Sequence, residues 1–348
     1  MRGTLLTLDT LASENNTTVA EIGEDRVFEA IDAARVAHNE LVDELTSDLV
    51  EVTTDRLRRF GGNDEMEMEE VDEMGTADAQ KITTGQNVGF PLRLFQLSVQ
   101  WSRKYFQNVT GAEFARQFIA ATTADLKRIE RQIKTPIFTP TNSTFSDKLV
   151  DGVELPLKAL LNADGVAIPQ GPGFATFDGT THTHYLATAS LTETALKNLI
   201  ETVIEHRLGG DVKVYINRAQ ESAVRALSGF EKYFDARIIP SVNQDRARGE
   251  LDQSRLYDRA IGVFEQAEIW VKPWIPTGYM FCWMMHAPKP LCLRVRRAGE
   301  GLAVAAEDEN YPLRARTIER EFGVSVNERS NGAVLYIGGG SYVTPVIN

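Results

Sequence analysis

The chain reads as an α+β protein, and three stretches predict this. Between Val88 and Trp101 the apolar residues Leu92, Leu94, Leu97, Val99 and Trp101 fall mostly at a period of two. One slip near Phe95 and Gln96 is the mark of a strand with a bulge. Thr110 and Glu113 then form a T-x-x-E capping box, and Phe114, Phe118, Ala121, Leu126, Ile129 and Ile133 recur every three to four residues. This predicts a helix over 111–133, about 35 Å long at a rise of about 1.5 Å per residue, a beam rather than part of a small core. Lys134-Thr135-Pro136 is expected to end it, because proline disfavours the helical conformation in the residue before it. From Ser190 onward, helix and strand patterns alternate.

The bulk numbers narrow the class. The 348 residues are 43% hydrophobic, enough for one large or two modest domains. The sequence has no run of about eighteen apolar residues, so no membrane span is expected. The first residues, Met1 to Asp9, lack the longer apolar region and cleavage site of a signal peptide. Two cysteines, Cys282 and Cys292, fit a reducing compartment, and would pair only between neighbouring strands if at all. A net charge of −12 argues against a sequence-reading nucleic-acid binder, which needs a basic footprint. It does not exclude a protein that encloses nucleic acid without gripping it.

In chain order, residues 1–22 are polar and irregular and read as a mobile arm. A helix follows over 24–45, with Phe28, Ile31, Ala34, His38, Leu41 and Leu45 on one stripe, and His38 reads as a core or interface histidine. Residues 48–60 are β-like, and Gly61-Gly62 breaks the pattern. An acidic run follows, from Asp64 and Glu65 through Glu67, Glu69, Glu70, Asp72 and Glu73. The simplest geometry is a two-stranded excursion, out through 48–60, round the acidic tip and back through 88–101. An isolated ribbon is marginal in water, so its apolar residues Leu57, Phe60, Phe90, Leu92 and Phe95 need a covering surface, which a projecting ribbon would find on another subunit. The acidic run reads by default as a solvated loop, and it lacks the D-x-D-x-D-G spacing of a calcium loop. Its other reading is docking onto a neighbour's basic patch. Arg294, Arg296 and Arg297, or Arg314, Arg316 and Arg320, would supply one, at about 0–1 kcal/mol per exposed pair.

Residues 137–190 carry short strands and turns, with turn signals at Asn162-Ala163-Asp164-Gly165 and Gln170-Gly171-Pro172-Gly173. His182 and His184 share one face of a strand, but no third ligand of suitable spacing stands near, so the pair reads as structural and no metal is expected. Ser190 and Glu193 look like a second capping box, before a helix face of Leu196, Leu199, Ile200, Val203 and Ile204. Strands are expected at 212–216, 261–264, 267–271, 278–285 and 291–295, and a β-like segment at 237–240 precedes a polar loop over 241–257. Near the C-terminus, Asn331-Gly332 between 322–326 and 333–337 signals a hairpin. Gly338-Gly339-Gly340-Ser341 lacks the lysine and helix of a phosphate loop and reads as a turn. There is no G-x-S-x-G, H-E-x-x-H, P-loop or dinucleotide fingerprint, so no catalytic set and no cofactor is expected.

This order of parts resembles the major capsid proteins of tailed bacteriophages, a fold shared with encapsulins and herpesvirus capsid floors. The resemblance is carried by Val88-Gly89-Phe90-Pro91-Leu92 leading to Trp101, the helix from Thr110, and Asn162-Ala163-Asp164-Gly165. Further on it is carried by Val271 to Tyr279, Lys289-Pro290-Leu291 and Glu321 to Val326. It implies an N-terminal arm with its helix at 1–47, an extended β loop at 48–101 and a peripheral domain with a spine helix at 102–189. It further implies an axial domain at 190–316, whose tip would be 241–257 with Arg246 and Arg248, and C-terminal strands from 317–348 returning to the peripheral domain. The implied function is self-assembly, as hexamers and pentamers, into an icosahedral shell that encloses double-stranded DNA. The virion capsid would be its location and the host bacterial cytoplasm its place of synthesis. Scaffolding, portal and decoration proteins would be partners. Contact candidates between subunits are Phe60, Glu67, Glu69, Glu70, Phe90, Leu92, Arg246, Arg248, Arg294, Arg296 and Arg297. Some members of the family cross-link through a lysine in the extended loop; Lys81 is the lysine near this tip, and the role is not assigned to it. The alternatives are an encapsulin, with the 24–45 helix facing cargo, and a soluble oligomeric enzyme built on 190–300.

Overall fold

A computed structural model of the chain describes residues 6–60, 68–79, 85–166, 182–206, 208–232 and 259–347. The N-terminal segment forms two short helices, α1 (Leu8–Ser13) and α2 (Val19–Ile22), each opened by a threonine capping box, Thr7 with Thr10 and Thr18 with Glu21. A long helix, α3 (Glu24–Thr46), leads to strands β1 (Val50–Thr53) and β2 (Leu57–Phe60). The chain returns through β3 (Gln86–Gly89) and β4 (Arg93–Ser102) to a short helix, α4 (Arg103–Asn108), and the long helix α5 (Gly111–Phe138). A hairpin of β5 (Ser143–Ser146) and β6 (Glu154–Leu157) follows, then β7 (Tyr185–Thr188), α6 (Glu193–Ile204) and β8 (Asp211–Ile216). The second half continues with α7 (Glu221–Arg225), β9 (Phe230–Lys232), β10 (Arg259–Phe264), β11 (Ala267–Val271) and β12 (Tyr279–Met285). It closes with β13 (Leu291–Val295), β14 (Ala303–Asn310), β15 (Leu313–Val326) and β16 (Ala333–Ile337).

Among the described residues, these strands form two large sheets and two small ribbons. One sheet runs β1-β13-β15-β14, with β4 on the other side of β15. The second runs β7-β16-β12-β8-β11-β10-β9. On β12, Met280, Cys282 and Met284 meet Leu196, Leu199, Ile200 and Val203 of α6, while Tyr279, Phe281 and Trp283 point the other way. The period of two thus buries the strand on both faces. The second face joins Ile129, Ile137 and Phe138 of α5, Val42 of α3 and Leu291, Phe322 and Val324 of the first sheet in one core.

The beam helix starts as expected, with Thr110 and Glu113 capping it reciprocally, but continues to Phe138 with Pro136 inside. Proline removes an intrahelical bond only in the last turn, and full burial of Ile137 and Phe138 outweighs that loss. Residues 6–22 are not a mobile arm. The amides of Gly111 and Ala112, orphaned at the helix start, donate to the carbonyls of Thr17 and Glu14 at 3.1 and 3.0 Å. Leu11 and Val19 are buried with Phe28, Phe106 and Phe114. Gly111 permits this docking, since a Cβ there would meet Leu11 Cδ1 at 2.9 Å.

Other expectations are corrected as well. In α3 the buried stripe ends on Val42, while Leu41 and Leu45 are exposed. Strand β4 has no bulge: Arg93 to Ser102 pair without a break with Phe322 to Leu313 of β15. The slip in the sequence arises because Leu94 lies on the outer face, whereas Phe95, Val99 and Trp101 turn partly inward. Among the described residues, Leu57 to Phe60 pair with Gly89 to Gln86, while β1 does not join the ribbon and pairs with β13 in parallel instead. Helix α6 is capped by Thr192, whose Oγ1 accepts from the Ala195 amide at 3.1 Å, and not by Ser190. Strands β15 and β16 lie in different sheets, so Asn331-Gly332 makes no hairpin, and the last strand joins the sheet built from 185–285. Asn331 is instead buried, accepting from the Met284 amide at 2.7 Å and donating to the carbonyls of Met284 and Pro288. Cys282 and Cys292 stand on strands of different sheets as free, buried thiols, and burial pushes Cys292 up to about 12.

The turn at 162–165 is present, with Asn162 at φ 47 and Gly165 at φ 69. Asp164 there accepts from Arg329, which is fully buried, at 3.0 Å and from Asn142 at 2.8 Å. Burial works to raise the Asp164 pKa, but the Arg329 and Asn142 hydrogen bonds and the Arg329 charge prevail and hold it at about 2. A folded value below the ordinary 3.8 means stability that is fully present above about pH 4 and is lost as pH falls towards about 2. Asp164→Asn is expected to cost about 3 kcal/mol, because it strands a buried guanidinium. It should also flatten the acid limb, which urea titrations at pH 2 to 7 will show.

Candidate assembly surface

The root of the β2–β3 ribbon is held by arginines and carboxylates that converge from distant parts of the chain. Asp147, fully buried at the end of β5, receives Arg294 Nη1 at 2.9 Å and lies 3.1 Å from Arg56 Nε. Arg294 also donates to the Phe90 carbonyl at 2.9 Å, and the Phe90 amide donates to the Arg56 carbonyl at 2.9 Å. Arg56 binds Asp151 through both terminal nitrogens, and its hydrogen bond holds the Asp151 carboxyl down at about 2. Arg58 reaches Asp55 on the β1–β2 connection, Glu51 and Thr53 on β1 and Asn327 beyond β15, and lies 5.6 Å from the Phe90 ring centroid. Gly323 completes the seat, since a Cβ there would stand 2.3 Å from the Pro91 carbonyl oxygen.

This geometry sorts the residues singled out from the sequence. Phe90 and Leu92 are buried within the subunit, and Arg294 is spent on Asp147 and Phe90, so these three are internal supports and not surface contacts. Of the second basic group, Arg316 pairs with Asp32 at 2.7 Å, and Arg320 pairs with Asp125 at 3.0 Å, both within the subunit. Arg314 lies 3.3 Å from Glu24. Arg296 is bound to Glu321, and Arg297 is exposed with Glu300 at 4.0 Å. Phe60 packs partly against Val88, Phe90 and Cys292. Glu69 and Glu70 are exposed, with Glu69 accepting from the Asp78 amide. Glu67, Lys81, Arg246 and Arg248, and with them the 237–240 segment, the 241–257 loop and the 170–173 turn, lie outside the described residues. Sequence reasoning missed Arg56, Asp147 and Asp151, which no local pattern marks.

Apolar surface remains beside this root. Leu57 on β2, Leu94 and Leu97 on β4 and Val52 on β1 are exposed. A groove of about 340 Å³ lies between α3 and α5, lined by Val42, Leu45, Leu49, Leu126, Ile133 and Trp274. Among the described residues, no helix is long and apolar enough to cross a membrane. His38 is the buried histidine anticipated for α3, bonded through Nε2 to Asp125 at 2.9 Å.

The fold is that of the tailed-phage major capsid proteins. A solved structure from Mycobacterium phage Patience matches 100% of this chain and 96% of its own, with 22% identity and a TM-score of 0.68. The capsid of the cyanophage P-SCSP1u (85% of this chain, 88% of that one, 11% identity, TM-score 0.49) is also similar. So is the holo-SrpI encapsulin complex from Synechococcus elongatus PCC 7942 (87% and 90%, 12% identity, TM-score 0.43). No protein-family model and no curated protein matches the chain in sequence.

Asp147→Asn leaves Arg294 buried without its counter-charge and is expected to lower stability by about 3–5 kcal/mol. A shift of the denaturant midpoint measures it; a midpoint within error of the parent would contradict the role given to Asp147.

Proposed function

We propose that this chain is a major capsid protein, whose copies assemble into the icosahedral shell enclosing the genome of a tailed bacteriophage. The observation that carries the reading is the end-to-end likeness to the phage Patience structure at a TM-score of 0.68. Two features of the chain support it. The exposed Leu57, Leu94 and Leu97 flank the ribbon and β4, where a neighbouring subunit would cover them. A net charge of −12 suits a wall that must not grip packaged DNA, because affinity for phosphates grows with each lysine or arginine. In this reading 48–101 is the loop that overlaps a neighbour, α5 is the spine of a peripheral domain, and the sheet containing β8 to β12 is the axial domain. Hexamers and pentamers are the units of assembly. Scaffolding, portal and decoration proteins are the partners, and the role is structural rather than enzymatic.

Negative-stain electron microscopy of the purified chain, with and without co-expressed candidate scaffolding protein, tests it. Shells or ring-shaped capsomers are expected. A uniform small oligomer under both conditions would reject the reading, and shells filled with a cargo enzyme in place of DNA would move it to an encapsulin. The variant Leu94→Glu, on the outer face of β4, should leave the subunit folded, with the parent's circular dichroism, yet abolish particles. Deletion of 62–86 should likewise leave a folded subunit that forms no stable shell. Normal particles from either variant would remove the loop and β4 from the interface.

A further inference from the structure

His182 and His184 are joined in space by a third histidine that the sequence spacing does not reveal. His206 follows the end of α6, and its Nε2 lies 3.0 Å from His184 Nε2. The imidazoles of His182, His184 and His206 offer ligand atoms that all lie within 4.8 Å of one another. The rings are 4.8, 5.4 and 5.0 Å apart between centroids. Glu205, the neighbour of His206, places Oε1 at 2.8 Å from His182 Nε2 and 3.9 Å from His206 Nε2. His184 and His206 are fully buried, and His182 and Glu205 close the group on its partly exposed side.

The surroundings fix the chemistry of these nitrogens. His184 Nδ1 lies 2.8 Å from the Gly332 carbonyl, which only accepts, so Nδ1 carries the proton and the Nε2 lone pair faces His206. A backbone carbonyl on the far nitrogen is the usual support of a metal-ligating imidazole. The ligands stand on fixed backbone. The His184 amide donates to the Leu161 carbonyl, its carbonyl accepts from Val334, and Asn162 Nδ2 donates to the His182 carbonyl at 3.0 Å. Metal–nitrogen bonds of about 2.0–2.1 Å in a tetrahedron put ligand atoms about 3.3 Å apart. The separations here, from 2.8 and 3.0 Å through 3.9 Å to at most 4.8 Å among the imidazoles, bracket that value, so small side-chain rotations would close the set around an ion.

We propose that His182, His184 and His206 bind one divalent transition-metal ion, zinc in the first instance, with the Glu205 carboxylate as the fourth ligand. Imidazole with carboxylate is a donor set suited to zinc, cobalt or nickel and unsuited to magnesium or calcium. The ion would clamp the end of α6 to the segment entering β7 and so fasten one edge of the seven-stranded sheet. It does not depend on the capsid reading.

The test uses the full chain without an affinity tag, stripped of metal by chelator and dialysed. Zinc titration against a chromophoric chelator should give one tight site per chain, and cobalt should give the intense visible bands of a tetrahedral centre. Saturating zinc should raise Tm by about 3 °C or more. His182→Gln and Glu205→Gln lie on the partly exposed side, so both should keep the parent's circular dichroism. His182→Gln should weaken zinc at least 10-fold and abolish the tetrahedral cobalt spectrum, and Glu205→Gln should alter that spectrum. Absence of a stoichiometric site and of any Tm response would overturn the proposal and leave a hydrogen-bonded histidine cluster. Zinc binding that is unchanged in a folded His182→Gln variant would overturn it too.

Discussion

Strand β15 uses both of its edges, and the body of the protein depends on that double pairing. On one side Leu313 to Phe322 pair with β4; on the other, Leu313 to Glu319 pair with β14 and Phe322 to Val326 pair with β13. A fourteen-residue strand so committed fixes the direction of the returning loop, because β4 has no freedom of register once ten of its residues are paired. Helix α5 is laid on the same strand by side chains. Arg320 on β15 donates Nε to Asp125 on α5 at 3.0 Å and reaches Asn39 on α3 at 2.7 Å, and Arg128 sits 5.0 Å from the centroid of Phe95 on β4. His38 bonds the other oxygen of Asp125, so two long helices and the strand meet at one buried carboxylate. Charges held this way specify an arrangement more than they stabilise it, since desolvation offsets much of their attraction.

The same logic governs the root of the loop. Asp147, Arg56 and Arg294 come from three separate elements and are pinned to one another, which fixes the direction in which the ribbon of β2 and β3 leaves the body. The anchored root next to exposed Leu57 and Leu94 is the arrangement a subunit needs if it is to reach a neighbour in a defined direction. The central strands of the seven-stranded sheet are covered on both faces, by α6 on one and by the core shared with α5 and the first sheet on the other.

Several sites were illegible in one dimension for specific reasons. The pair His182 and His184 is visible as a pattern, but His206 belongs to the end of a helix and joins them only because β7 runs beside β16 and α6 folds back over the sheet. Arg294, Arg296 and Arg297 look alike in sequence as a basic surface, yet Arg294 stands within β13, whose five residues are all buried, and turns to Asp147, whereas Arg297 lies past the strand's end in solvent. Asn331-Gly332 carries a strong turn signal, but the amide of Asn331 is more valuable as a bridge to Met284 and Pro288 than as a hairpin corner.

What the sequence determined by itself was local. The cap at Thr110 and the turn at 162–165, the strands at β8 and β10 to β13, the helical periods of α5 and α6 and the presence of helix α3 are set by short-range backbone and side-chain chemistry, and they appear where that chemistry places them. The order of these parts was enough to recognise the fold. The tertiary structure alone decided the pairings of β1, β4 and β16, the docking of the first helices onto the start of α5, and the continuation of α5 through Pro136. Each depends on a partner far away in the chain, whose hydrogen bonds or buried surface outweigh a local preference, and no window of neighbouring residues contains that partner.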